Sequence, residues 1–131
     1  MATLAPPTND EQIAEQWAAG FLNYIGAPAA SSDDPRLKFL TAMEMHEGIV
    51  QKDPNNPVAI EAGGTKMQGS QVSTFATTQA GYAAFHNYLL KNHITGLLQG
   101  LTSKASTVAG LTAELAAAHW EGSATPQAVQ A

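Results

Sequence analysis

Between Lys52 and Thr78 the chain reads KDPNNPVAIEAGGTKMQGSQVSTFATT, a run of prolines, asparagines, glycines and threonines whose few apolar residues follow no helical period. No helix can continue through it, because proline lacks the amide donor and glycine weakens a helix interior. On both sides the apolar spacing is helical. This one segment therefore imposes an interrupted architecture: helices, an irregular or extended middle, then helices again.

The first helical block, TNDEQIAEQWAAGFLNYIG, opens with the capping-box spacing Thr8 to Glu11 and sets Ile13, Trp17, Phe21 and Tyr24 at steps of three and four. Gly26 is a left-handed stop. APAASSDD follows as a loop in which Ser32 or Asp33 can cap a second helix beginning near Pro35. Leu37, Leu40, Met43 and Glu44 share one face of it, and Glu47 lies four residues after Met43 on much the same side. In the middle, VAI and QVSTF flank the turn-rich EAGGTKMQGS, which reads as a short β-hairpin or two short strands. Beyond Thr78, QAGYAAFHNYLL puts Tyr82, Phe85 and Leu89 on one stripe, ITGLLQGL makes a short helix or turn, and Ser106 can cap a last helix, TVAGLTAELAAAHW. The expected fold is mainly α with a small β element (α+β): two helices, a short β-hairpin and about three helices. It forms a single domain over residues 1–131, with 1–8 and 123–131 expected as flexible tails.

At 131 residues and 44% hydrophobic, the chain has material for one core. It has no cysteine, so packing alone must hold it, without disulfides or thiolate metal sites. The start, MATLAPPTND, has no basic region followed by an apolar run, and no segment approaches the roughly 18 apolar residues of a membrane span. A soluble protein made in a cytoplasm, without a membrane partner, is expected. The net charge is −5, and the six basic residues, Arg36, Lys38, Lys52, Lys66, Lys91 and Lys104, are scattered. Binding a phosphate backbone needs a clustered basic face, so nucleic acid is not expected as a partner.

Chemistry is concentrated in AMEMHEG, residues 42–48, which sets Glu44, His46 and Glu47 in one helical turn ahead of a glycine. An acid that donates a proton near neutral pH must resist ionisation, which burial and the negative end of a helix dipole both favour. Glu47, in the last turn before Gly48, is chemically suitable; the plainer alternative is a solvated helix-end glutamate. Glu44 reads as a structural or solvent-facing residue, or as a hydrogen-bond partner of the loop, with the acid itself as its lesser alternative. The remaining acids of the middle region, Asp53 and Glu61, read as loop residues. No metal or other cofactor is expected. Position 50 is Val, so His46 and Glu47 do not begin a His-Glu-x-x-His site, and His86 and His93 lie seven apart without a partner pair at zinc spacing. There is no Gly-x-Ser-x-Gly elbow for a serine hydrolase.

Taken in order, WAAGFLNYIGAP, FLTAMEMHEG, NNPVAI, VSTFATTQAGYAAFHNYL with a Gly six residues beyond Phe75, and AAAHWEGS span Trp17 to Trp120. Together they resemble the small lysozyme-like domains, related to lytic transglycosylases, of bacteriophage endolysins and virion-associated wall hydrolases. The resemblance implies a lysozyme-like fold and cleavage of peptidoglycan glycan strands, by a muramidase or a lytic transglycosylase. It places Glu47 as the general acid at the entrance to the β element. It sets Asn55 and Asn56 to line or brace the cleft, with Thr74, Thr77 and Thr78 on its far side. The aromatics follow helical stripes and read first as core, and Tyr82 and Trp120 are the two with stacking on sugar rings at the cleft as their alternative. The stretch from Gly48 to Phe75 would be the β wall of that cleft and the end of the second helix its floor. The chain departs from the family pattern after Asn-Asn-Pro, where Val58, Ala59 and Ile60 replace the common Leu-Asn-Thr. The alternative is a virion structural or interaction protein that keeps the scaffold without catalysis. On either reading other virion (tail) proteins are candidate partners. The protein would reside in the virion, or in the host cytoplasm before release, and the enzyme would act in the bacterial cell wall.

Overall fold

The computed structural model describes residues 9–61, 65–66 and 72–118. Five helices and one minimal hairpin follow in the order α1 (Asn9–Tyr24), α2 (Pro35–Glu47), β1 (Thr65–Lys66), β2 (Ser73–Thr74), α3 (Thr78–Lys91), α4 (Thr95–Thr102) and α5 (Val108–Ala117). The fold is mainly α with a small antiparallel β element, and the helical period does break in the middle segment.

The ends of α1 and α2 follow from local chemistry. After α1 the chain turns at Gly26, with φ 79, while Ala27 N–H donates to the Leu22 carbonyl at 2.9 Å and Gly26 N–H to that of Asn23 at 3.0 Å. Only glycine takes this left-handed turn without strain. Thr8, the expected cap of α1, lies outside the described residues. The cap of α2 is Asp34, not Ser32 or Asp33: its Oδ1 accepts from Arg36 N–H at 2.9 Å, and its Oδ2 accepts from Ala30 N–H at 3.1 Å. Asp34 wins because the same carboxylate also holds the buried Arg36 guanidinium at 2.8 Å. α2 stops at Gly48, with φ 73, whose N–H donates to the Glu44 carbonyl.

The middle departs from expectation. Val58, Ala59 and Ile60 are buried but form no strand, and the first strand lies at Thr65–Lys66, inside the stretch read as a turn. Ala59 has φ 61, which breaks any extended run. Both main-chain groups of Ile60 are engaged by the Asn56 side chain, whose Oδ1 accepts from Ile60 N–H at 3.2 Å and whose Nδ2 donates to the Ile60 carbonyl at 3.1 Å. That carbonyl also accepts from Ser73 N–H at 3.0 Å. The strands pair Thr65 with Thr74 and Lys66 with Ser73.

Thr77 caps α3, its Oγ1 accepting from Ala80 N–H at 3.1 Å. α5 is capped by Thr107 through Gly110 N–H, whereas the expected cap, Ser106, turns back and donates to the Gly100 carbonyl at 2.6 Å, closing α4. The expected stripes build one core, except that Tyr24, the last residue of the first stripe, is exposed. Trp17, Phe21, Tyr82 and Phe85 interlock with ring centroids 4.8 to 6.0 Å apart, and Leu22, Leu37, Phe39, Leu40, Met43, Leu89, Leu97 and Leu111 extend the cluster. Among the described residues no helix is long and apolar enough to cross a membrane.

Candidate functional site

The last two turns of α2 carry two glutamates in different surroundings. Glu44 stands on the same face as Leu37, Leu40 and Met43 and is 0% exposed, and neither of its carboxyl oxygens has a hydrogen-bond partner. Burial pushes its pKa well above that of an ordinary glutamate. Of the roles open to Glu44, the solvent-facing one and the loop hydrogen bond are thus excluded. Tyr82 of α3 lies within its electrostatic reach: the phenol is pushed up to about 12, first by burial and then by the Glu44 charge. One turn later Glu47 is half-buried, with its Oε2 shielded from solvent, and the left-handed Gly48 follows directly. His46 is exposed between them.

A second cluster is organised by Asn55 and Asn56. Asn55 Nδ2 donates to the Phe75 carbonyl at 2.8 Å and its Oδ1 accepts from Thr78 Oγ1 at 3.1 Å, so one side chain ties the exit of β2 to the first turn of α3. Asn56 is buried, and besides Ile60 it donates to the Ser73 carbonyl at 2.8 Å. Its amide is consumed in tying the Ile60 main chain to that of Ser73. A buried amide must satisfy its donors and acceptor internally, and this one does so with the main chains of Ile60 and Ser73.

The other expected residues divide as follows. Thr74 is half-buried in β2, opposite Thr65. Thr77 is exposed, and its hydroxyl serves as the α3 cap. Tyr82 is a core residue, packed between Trp17 at 5.0 Å, Phe21 at 6.0 Å and Tyr24 at 5.9 Å between ring centroids. Trp120 lies outside the described residues. Asn55, Thr78 and Tyr82 do come together, lining a pocket of about 210 Å³ with Ile13, Gln16, Trp17 and Pro54. Glu47 is not part of that lining. A larger groove of about 520 Å³ runs along the outer side of α1 and α2 between Glu15, Leu37, Lys38 and Met45, and contains none of the expected site residues.

Two residues bury polar atoms that the sequence reading did not foresee. Asp53 is 3% exposed, its Oδ2 has no hydrogen-bond partner, and burial pushes its pKa up to about 6. Its main chain is tied into a turn, N–H to the Ile49 carbonyl at 2.8 Å and carbonyl to Asn56 N–H at 3.0 Å, and no periodic pattern announces such a burial. Trp17, expected on the first helical stripe, buries an indole Nε1 that likewise finds no acceptor. Among the described residues no three His, Asp or Glu side chains converge so as to hold a metal ion.

The chain matches no protein-family model, no curated protein and no solved structure.

Proposed function

We propose that this protein is a lysozyme-like domain of bacteriophage type that cleaves the glycan strands of peptidoglycan, with Glu47 as general acid, and that it works as part of a virion. The observation that carries this reading is the placement of Glu47. Among the three carboxyls at and after the end of α2, Glu44 and Asp53 are sealed from solvent, and Glu47 alone is partly exposed while keeping one oxygen sheltered. A general acid needs both conditions, since it must reach the glycosidic oxygen and must hold its proton until the bond breaks. The scaffold adds support, because two of the family landmarks, Asn55 of Asn-Asn-Pro and Gly81 beyond Phe75, touch each other in space.

On this reading Glu47 donates its proton to the leaving glycosidic oxygen as the bond to the anomeric carbon breaks. Asp53 is too deeply buried to meet a sugar, and Glu61 is an exposed loop residue with no packing to position it, so no second carboxylate is assigned across the scissile bond. The sugar's own 6-hydroxyl then attacks the anomeric carbon and returns its proton to Glu47, giving an anhydro product without consuming water. Lytic transglycosis is therefore favoured over hydrolysis, which would need a positioned water or nucleophile.

The alternative, a virion protein that keeps the scaffold without catalysis, is favoured by one specific observation. Ala59 and Ile60 stand where the family carries polar residues, and both are buried, Ile60 within the hydrophobic core. A zymogram on purified murein, with mass analysis of released fragments, separates the readings. Anhydro-muropeptides support the transglycosylase and reducing-end muropeptides the muramidase; no release by a folded sample moves the assignment to the scaffold.

A further inference from the structure

Glu44 is the group the mechanism leaves unused. It is buried on the face of α2 that carries Leu37, Leu40 and Met43, within electrostatic reach of Tyr82 of α3, which itself packs on Trp17 and Gly20 of α1. Trp17 and Tyr82 rings lie 5.0 Å apart, and the Tyr82 hydroxyl packs so closely on Gly20 that a Cβ there would overlap it. The junction therefore has little room to adjust.

No cation stands ready to neutralise an ionised Glu44 among the described residues. On α2 itself, Arg36 is consumed by Asp34 and by three main-chain carbonyls, Lys38 is exposed beside Asp33, and His46 is exposed. α1 brings the acids Glu11 and Glu15, which line the outer groove with Lys38. α5 brings Glu114, exposed and lying against Gly96 of α4. α3 brings Tyr82, whose own ionisation Glu44 opposes, His86, whose half-buried ring stands edge-on to Tyr24, and Lys91, which is exposed at the end of the helix. Every neighbour is thus neutral, acidic or engaged elsewhere.

We propose that Glu44 is a proton-controlled positioning residue: protonated, it stays packed at the α1–α2–α3 junction and holds the final turn of α2 in place, and on losing its proton it leaves the junction and releases that turn. An unpartnered carboxylate cannot remain in such a site, because nothing there replaces its hydration. Opening the junction lets water reach it, and every unit by which the packed carboxyl's pKa exceeds that of the opened one shifts the equilibrium about tenfold toward opening at high pH. The final turn carries Glu47, three residues on. The consequence for catalysis rests on the function proposed above; the opening itself does not.

Two measurements test this on the whole chain. Carbon-detected NMR follows the Glu44 carboxyl between pH 4 and 9, and amide exchange, corrected for its intrinsic pH dependence, follows residues 44–48 and 80–86 in wild type and Glu44→Gln. The expected result is a Glu44 midpoint well above the ordinary 4.5, with protection in the last turn of α2 falling by up to about tenfold per pH unit between 4.5 and that midpoint in wild type and staying constant in Glu44→Gln. A Glu44 that titrates near 4.5 in the folded protein overturns the proposal, as does the same loss of protection in both proteins. Should Glu44→Gln fail to fold, the wild-type titration and its coincidence with the exchange transition decide. In murein cleavage the alkaline limb of kcat should move to higher pH in Glu44→Gln with KM unchanged. An inactive wild type would remove the catalytic reading and leave the exchange arm intact.

Discussion

The main-chain carbonyl of Asn55 rests against Gly81, so that a Cβ on residue 81 would overlap the carbonyl oxygen and stand 3.0 Å from its carbon. This contact brings the first turn of α3 onto the Asn-Asn-Pro segment and lets Thr78 Oγ1 reach Asn55 Oδ1. Gly81→Ala cannot be absorbed by a side-chain rotation, because the obstacle is backbone. Overpacking of this kind costs about 1–3 kcal/mol or more, and the Asn55 bonds to Phe75 and Thr78 should loosen with it. Urea denaturation should show the midpoint of Gly81→Ala falling with an unchanged slope, while alanine at the exposed neighbour Gln79 stays within about 0.5 kcal/mol of wild type.

Arg36 donates all five of its N–H groups: Nε and one Nη2 to Asp34, the two Nη1 to the Ala27 and Leu101 carbonyls, and the second Nη2 to that of Pro28. It is fully buried, and it joins the loop after α1, the start of α2 and the end of α4. Arg36→Lys keeps the charge but offers a single ammonium where a planar fork reached four partners, which leaves carbonyls and part of the Asp34 carboxylate unbonded in the interior. A loss of about 3 kcal/mol or more is expected, read as a drop of many degrees in the thermal midpoint.

How far the sequence disclosed these features depends on whether they are periodic. The helices were legible because Trp17, Phe21, Tyr82, Phe85 and Leu89 repeat at the helical period, and Gly26 and Gly48 mark stops by conformation alone. VAI was misleading: three apolar residues are compatible with a strand, but Ala59 takes φ 61 and the Asn56 side chain captures Ile60 before a ladder can form. Arg36 looked like one of six scattered cations, because the carbonyls it binds lie up to 65 residues away in the chain. In the candidate site, the place of Glu47 in the last turn of α2 was readable from the helical period and Gly48, whereas Thr78, expected across a cleft from Asn55, instead donates to its Oδ1. The depth of Glu44 was half-readable, as it shares a face with Leu37, Leu40 and Met43, yet a charged residue on that face gives no sign of whether a partner meets it. Asp53 gave no signal, since its burial depends on how the 49–56 turn docks.

Two aspartates with opposite shifts set the pH dependence of stability. The Asp34 carboxyl is held down to about 2, first by its hydrogen bonds to Arg36, so its contribution is fully present above its ordinary 3.8 and lost as pH falls through about 2. That contribution is on the order of 2 kcal/mol. Asp53 runs the other way: burial raises it to about 6, the folded chain binds its proton more tightly than the unfolded one, and stability declines by up to about 3 kcal/mol as pH rises from about 4 to about 6. Glu44 adds to the decline in the same direction. Melting curves between pH 2 and 8 should therefore peak near pH 4, below the range usual for proteins. Asp53→Asn should flatten the fall between pH 4 and 6, and Asp34→Asn should remove part of the acid limb; a maximum at pH 7 in wild type would contradict both assignments.

The assignment of Glu47 makes the sharpest demand. Glu47→Gln preserves shape and hydrogen-bonding capacity while removing the transferable proton, so if Glu47 is the general acid, murein turnover should fall by about 10² to 10⁴ with folding nearly unchanged. Glu44→Gln, assayed below the raised Glu44 midpoint, should behave almost as wild type, because a neutral amide replaces a neutral acid in a site no substrate reaches. The pair of variants thus separates a residue that gives a proton to the sugar from one that only supports the turn beneath it. Equal turnover by wild type and Glu47→Gln would take Glu47 out of the chemistry, since with Glu44 and Asp53 sealed from solvent no other carboxyl of α2 or of the 49–56 turn could replace it.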